Sequence, residues 1–211
     1  MNIAEKTNKK TNMPINNKAR TVLYAVYFFV ISLYLISAPP FICLVTVICA
    51  AMHEASHLLC AKLLGRRVSP LRMGVTGIYP DVGCGSALSC ILIYAAGPLF
   101  NMLVCIFCLA FFKFFSYNDK MFEIFCANAA LFCFNILPVP YSDGDGIVRT
   151  AFSFFLCSRI ADFLCASLNL IFSFMLFVFF SYRFFIFGGG FFSFFCSFVF
   201  MIASVSRFGK G

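Results

Sequence analysis

The stretch AMHEASHLLCAKLLG, residues 51–65, holds both histidines of the chain. His53 and His57 stand four residues apart, with Glu54 beside the first. The run is otherwise apolar and continues upstream through FICLVTVICA, so residues 40–62 reach the length a helix needs to cross a membrane. Two imidazoles and a carboxylate at membrane depth carry an insertion cost on the order of several kcal/mol, and such groups mark function.

Working outward, the rest of the chain is equally apolar. Of 211 residues, 62% are hydrophobic and 11% charged, against the roughly 45–50% and 25% of a soluble domain. Thirty-two phenylalanines in several long runs do not fit one water-soluble core. The composition excludes a soluble globular domain. It predicts an all-α polytopic membrane protein in the lipid bilayer, with about six transmembrane helices. The expected spans are residues 21–38, 40–62, 87–112, 122–141, 160–180 and 184–206, with turns at Pro39-Pro40, GRRVSPLRMG, KFFSYNDK, PVPYSDGDG and SYR. Gly188, Gly189 and Gly190 mark either a kink in the last span or the turn itself.

Residues 1–20 are polar and basic and read as a cytoplasmic tail. Residues 21–206 form one membrane domain and 207–211 a second short tail. Residues 21–38 lack a clear small-residue cleavage site, which favours an uncleaved span over a signal peptide. With both termini in the cytoplasm, every Lys and Arg except Lys113, Lys120 and Arg183 falls on the inner side. That asymmetry is the one cytoplasmic loops carry. It accounts for the net charge of +8 as a topology signal, so no nucleic-acid partner is expected.

Residues 66–86, RRVSPLRMGVTGIYPDVGCGS, are too broken by glycine and proline to span. They predict a short membrane-associated β-like loop between the second and third helices. Twelve cysteines lie mostly within apolar runs, and the pair Cys105 and Cys108 falls mid-helix. Packing as small hydrophobes is the expected role.

One helical face carries positions i and i+4, so His53 and His57 can offer two nitrogens to one metal ion while Glu54 reaches an attacking water. Two histidine ligands with a glutamate general base are the arrangement of zinc peptidases. Lys62 marks the cytoplasmic interface, which puts His57 roughly 7–8 Å and His53 roughly 13–14 Å below it. Zinc needs a third protein ligand. Glu5 lies in the tail, Asp119 and Glu123 fall on the outer side, Asp81 suits a turn, and Asp162 suits a pair with Arg159. The segment FNILPVPYSDGDG, residues 134–146, remains, with Asp143 and Asp145 as candidates. Pro138 and Pro140 stop the helix there, and Gly144 and Gly146 permit tight turns.

Three motifs together resemble the site-2 proteases, the intramembrane zinc metalloproteases, and especially their compact sporulation-type branch. They are HEASHLLCAKLLGRRV with Ala61, Gly65 and Val68 at the family's offsets, AAGPLFN with Gly97, Pro98 and Asn101, and NILPVPYSDGDG. They cover about residues 41–147 in the expected order. The resemblance implies Zn²⁺ held by His53, His57 and Asp143, with Glu54 as catalytic base and Asn135 binding substrate backbone or the oxyanion. Asp145 departs from the family's second glycine, and Ser56 from the commoner glycine before the second histidine. The substrate so implied is a membrane protein or membrane-tethered segment. The nucleotide-sensing domain found after the last span of sporulation-type relatives is not expected, because the chain stops at Gly211. The alternative is a membrane scaffold or transporter that retains the motifs without proteolytic activity; an intact Glu54 argues against it. A di-iron hydroxylase needs more histidines than two. The sequence gives no oligomeric state.

Overall fold

The computed structural model describes residues 39–66, 68–74, 77–82, 86–188 and 190–208. The expected first span, residues 21–38, and the expected N-terminal tail lie outside them, as do residues 209–211 of the C-terminal one. The element order is α1 (Pro40–Leu63), β1 (Val68–Gly74), β2 (Gly77–Val82), α2 (Ala87–Phe114), α3 (Asp119–Ile136), α4 (Asp143–Phe155), α5 (Ser158–Phe187) and α6 (Phe191–Phe208). Among the described residues, α1, α2, α5 and α6 are long and apolar enough to cross a membrane. The chain is therefore a largely helical membrane protein.

Each long helix buries one narrow stripe. In α1 it is Val45, Cys49, His53, His57 and Ala61, every fourth residue. In α2 it is Ser89, Ile93, Gly97 and Asn101, and in α5 Ala161, Cys165, Asn169 and Ser173. These stripes consist mainly of small and polar residues, while large apolar residues point outward, as in Leu44, Val47, Leu103, Phe107, Phe179 and Ile202. Lipid removes the hydrophobic drive between helices, so close backbone packing and interhelical hydrogen bonds hold them instead. α1 packs on α2, α2 on α3 and α4, and α5 on α6. Cys105 and Cys108 belong to the α2–α3 contact, their thiols directed at the Phe125 carbonyl (3.8 Å) and the Met121 sulfur (3.7 Å).

Helix ends follow local rules. α1 stops at a left-handed glycine: Gly65 has φ 65°, its N–H bonds the Lys62 carbonyl at 2.9 Å, and the Arg66 N–H bonds that of Ala61 at 2.9 Å. Arg66 then reaches Ser89 at 2.8 Å and ties the end of α1 to the start of α2. Ser86 caps α2, Asn118 caps α3 and Ser142 caps α4 through side-chain oxygens. β1 and β2 pair antiparallel, from Val68 opposite Val82 to Gly74 opposite Gly77, with an irregularity between Val68 and Leu71.

Several expected boundaries move. The helix expected over residues 122–141 ends at Ile136, because Pro138 forces Leu137 into extended backbone. The expected turn at Ser181–Arg183 is helical: α5 runs on to Phe187, with the Ser181 hydroxyl bonded to its own helix at Phe177. The turn is made by the glycines instead, with Gly188 at φ 64° and Gly190 at φ 85°. Residues 143–155, expected as a connecting segment, form α4.

Gly65 has open space where a Cβ would stand, so its backbone angle alone requires glycine. Gly65→Ala should therefore destabilise the protein by about 1–2 kcal/mol, read as a lower midpoint of thermal unfolding in detergent, and Gly65→Asn by less.

Candidate metal centre

α1 presents His53 and His57 on its buried stripe, 4% and 7% exposed. Their rings meet edge to face, with Nε2 atoms 3.2 Å apart. Asp143, the first residue of α4, brings Oδ2 to 3.1 Å from His53 Nε2 and 3.4 Å from His57 Nε2. Three donor atoms from two elements thus form one small triangle.

The backbone seats Asp143 by close approach. Gly144 and Gly146 are not turn glycines; both lie in the first turns of α4. A Cβ on Gly144 would fall 2.4 Å from the Ile136 carbonyl, and one on Gly146 would fall 2.8 Å from the Tyr94 ring. The missing side chains let α4 settle against the end of α3 and against α2. The left-handed residue of the preceding turn is Tyr141, at φ 71°, which is uncommon for a residue with a side chain. Ser142 stabilises the turn: its Oγ accepts the Asp145 N–H at 3.1 Å and directs its proton to the Leu137 and Val139 carbonyls at 2.5 and 2.9 Å.

α2 supplies the floor and the outer supports. A Cβ at Gly97 would stand 2.4 Å from His57 Nε2 and 2.5 Å from His53 Nε2. Any side chain there would collide with both ligating nitrogens. His57 Nδ1 lies 2.6 Å from the Ile93 carbonyl, which only accepts, so Nδ1 carries the hydrogen and Nε2 keeps its lone pair for the centre. The Asn101 amide lies 2.9 Å from His53 Nδ1. For His53 Nε2 to act as a ligand, Nδ1–H must donate to the amide oxygen of Asn101. That oxygen is otherwise buried without a partner, and a half-turn of the amide brings it to the ring.

The donor set fits a metal ion. A four-coordinate ion bound at about 2.0–2.1 Å spaces its ligands about 3.3–3.4 Å apart. The observed edges are 3.1, 3.2 and 3.4 Å. His53, His57 and Asp143 can hold one ion.

Glu54 is half-buried on α1 beside the pair. Asp145, the other candidate ligand, turns away from the histidines to Arg207 (2.6 Å), Asn169 (3.1 Å) and Arg149 (3.5 Å). Asp162 pairs with Arg149 at 3.0 Å, where Arg159 was the expected partner, because α4 lies across the start of α5. Asn135 donates to the Leu131 carbonyl of its own helix at 3.1 Å and is not drawn into the triangle. Ser56 directs its hydroxyl to the His53 carbonyl at 2.6 Å, which satisfies it within α1. Sequence reasoning left Gly97 and Asn101 without a role. Their signal was a glycine, a proline and an amide set in an apolar run. The Ile93 carbonyl has no such signal, since any residue supplies one. No protein-family model and no curated protein matches the chain.

Alanine is about 1 kcal/mol more favourable than glycine inside a helix, so propensity alone would make Gly97→Ala stabilising. The geometry predicts instead that the folded variant retains no metal, measured as metal content per protein after purification.

Proposed function

We propose that the chain is an intramembrane zinc metalloprotease of the site-2 type, cleaving a membrane-spanning or membrane-tethered protein segment. The observation that carries this reading is the triangle of His53 Nε2, His57 Nε2 and Asp143 Oδ2, whose two nitrogens face bare backbone at Gly97. Two imidazoles and one carboxylate suit zinc, and three protein ligands leave a position for chemistry. Asp143 rather than Asp145 is the third ligand.

Zinc bound there supplies the Lewis acidity that makes water deprotonation accessible near neutral pH. Glu54, next to His53, takes the proton of the attacking water and returns it to the leaving nitrogen. Ile93 and Asn101 fix the tautomers of the two histidines, so that both Nε2 lone pairs face the centre. Asn135, at the end of α3, is the residue for substrate backbone or the oxyanion. A substrate helix hides its carbonyls and must unwind locally before cleavage. The β1–β2 ribbon is a membrane-associated edge on which an unwound strand can pair.

The proposed topology has six spans: residues 21–38, α1, α2, α3, α5 and α6. Both termini are cytoplasmic and the protein is multi-pass in the cell membrane. Asp119, Lys120 and Glu123 lie in the first two turns of α3, at the outer interface. The centre lies shallow on the cytoplasmic side, where water reaches it.

Two substitutions test the assignment in reconstituted protein with a membrane-spanning reporter substrate. Glu54→Gln should abolish cleavage, a loss of at least about 10²-fold, while bound zinc stays at the wild-type level. Asp143→Asn should lose both zinc and cleavage. Wild-type protein that takes up no zinc would sink the reading.

A further inference from the structure

Asp145 stands two residues beyond the third ligand and is 6% exposed. Its carboxylate is divided between two cations and an amide. Oδ2 accepts from Arg207 at 2.6 Å, and Oδ1 from Asn169 at 3.1 Å and Arg149 at 3.5 Å. Arg149 carries on to Asp162 at 3.0 Å, so two acids and two bases close one neutral network. Arg207 belongs to α6 and lies 62 residues from Asp145 in sequence. Its guanidinium also covers the Tyr141 ring, 4.4 Å from the centroid.

Arg207 therefore grips the ligand-bearing turn on both sides of Asp143. One contact is to the strained residue two positions before it and the other to the buried acid two positions after. α6 is itself held in place. Ser204, three residues before Arg207 and on the same face, bonds Ser173 at 2.7 Å and the Asn169 carbonyl at 3.1 Å. A continuous polar seam thus runs from α5 through α6 to the turn. The triangle depends on Asp143 lying within a few tenths of an ångström of its place, and Tyr141 holds an unfavourable backbone angle to put it there.

We propose that Arg207 is a positioning residue for the metal centre: from the last described helix it locks Tyr141 and Asp145, and so sets the Asp143 carboxylate against the two histidines. This rests on the metal reading of the triangle and extends it to a residue that touches neither metal nor substrate. It also gives Asp145 a role in this chain, as the anchor that Arg207 holds.

The test uses the full chain in detergent, with zinc affinity measured against a competing chelator and the visible spectrum recorded after cobalt substitution. Arg207→Gln should weaken zinc about 10- to 100-fold, the usual effect of losing a group that orients a ligand, and should alter the cobalt bands. Ser173→Ala, on the same α5–α6 seam but away from the turn, should leave both unchanged even if it lowers thermal stability. Should Arg207→Gln fail to fold, Tyr141→Leu removes the ring beneath the guanidinium and should weaken zinc in the same direction. Wild-type affinity and spectrum in folded Arg207→Gln, or in Tyr141→Leu where that variant stands in, overturn the proposal and leave the metal reading intact. Equal loss in Arg207→Gln and Ser173→Ala overturns it as well, since that is general loosening of the seam. A wild-type chain that binds no zinc removes the metal reading itself, and this proposal with it.

Discussion

The two imidazoles of α1 stand side by side because α2 offers them bare backbone at Gly97. A methyl group there would sit within 2.5 Å of both Nε2 atoms. Much of the surrounding structure follows from that approach. It brings the Ile93 carbonyl to His57 and the Asn101 amide to His53. It also sets the depth of the cleft into which α4 must deliver a carboxylate. Gly144 and Gly146 repeat the device at that second contact, where α4 closes on the end of α3 and on Tyr94.

Apolar surroundings make each of these polar contacts consequential. A buried imidazole whose second nitrogen lacks a partner pays a desolvation penalty of roughly 1–3 kcal/mol. Here each Nδ1 has one. The same logic governs Asp145, whose charge is buried only because Arg207, Arg149 and Asn169 surround it. The described helices thus divide into two polar assemblies in oil. One, between α1, α2 and α4, gathers nitrogen and oxygen toward a shared centre. The other, between α4, α5 and α6, neutralises itself and holds the first in register.

His53, Glu54 and His57 were legible in the sequence because helical spacing alone puts both histidines on one face. The membrane class was legible because composition leaves no other place for so many phenylalanines. The choice between Asp143 and Asp145 was not decidable from spacing, since both lie in one short turn. What separates them is tertiary: Asp145 is held by Arg207 of α6, 62 residues away, which local pattern cannot reveal. α4 escaped notice because two aspartates and two glycines in a row read as loop, whereas Ser142 caps them into a helix start. Gly144 and Gly146 were read as turn residues, whereas they serve close approach of backbone and not a backbone angle. The end of α5 was misplaced because Ser181, Tyr182 and Arg183 look like a polar turn, yet none of them interrupts a helix.

The unequal lengths of α5 and α6 carry a further consequence. With 30 and 18 residues, the paired helices are about 45 Å and 27 Å long. They share a glycine turn at one end, so the whole difference falls at the other, beyond the level where Ser204 meets Asn169. The first turns of α5 and its contact with α4 project past the end of α6 as a step. Against a bilayer about 30 Å thick in its hydrocarbon part, α6 matches the layer and α5 exceeds it by about 15 Å. The excess carries Ser158, Arg159 and Asp162, so it stands as a polar step beside the end of α6, with Arg207 in the last turn of the shorter helix.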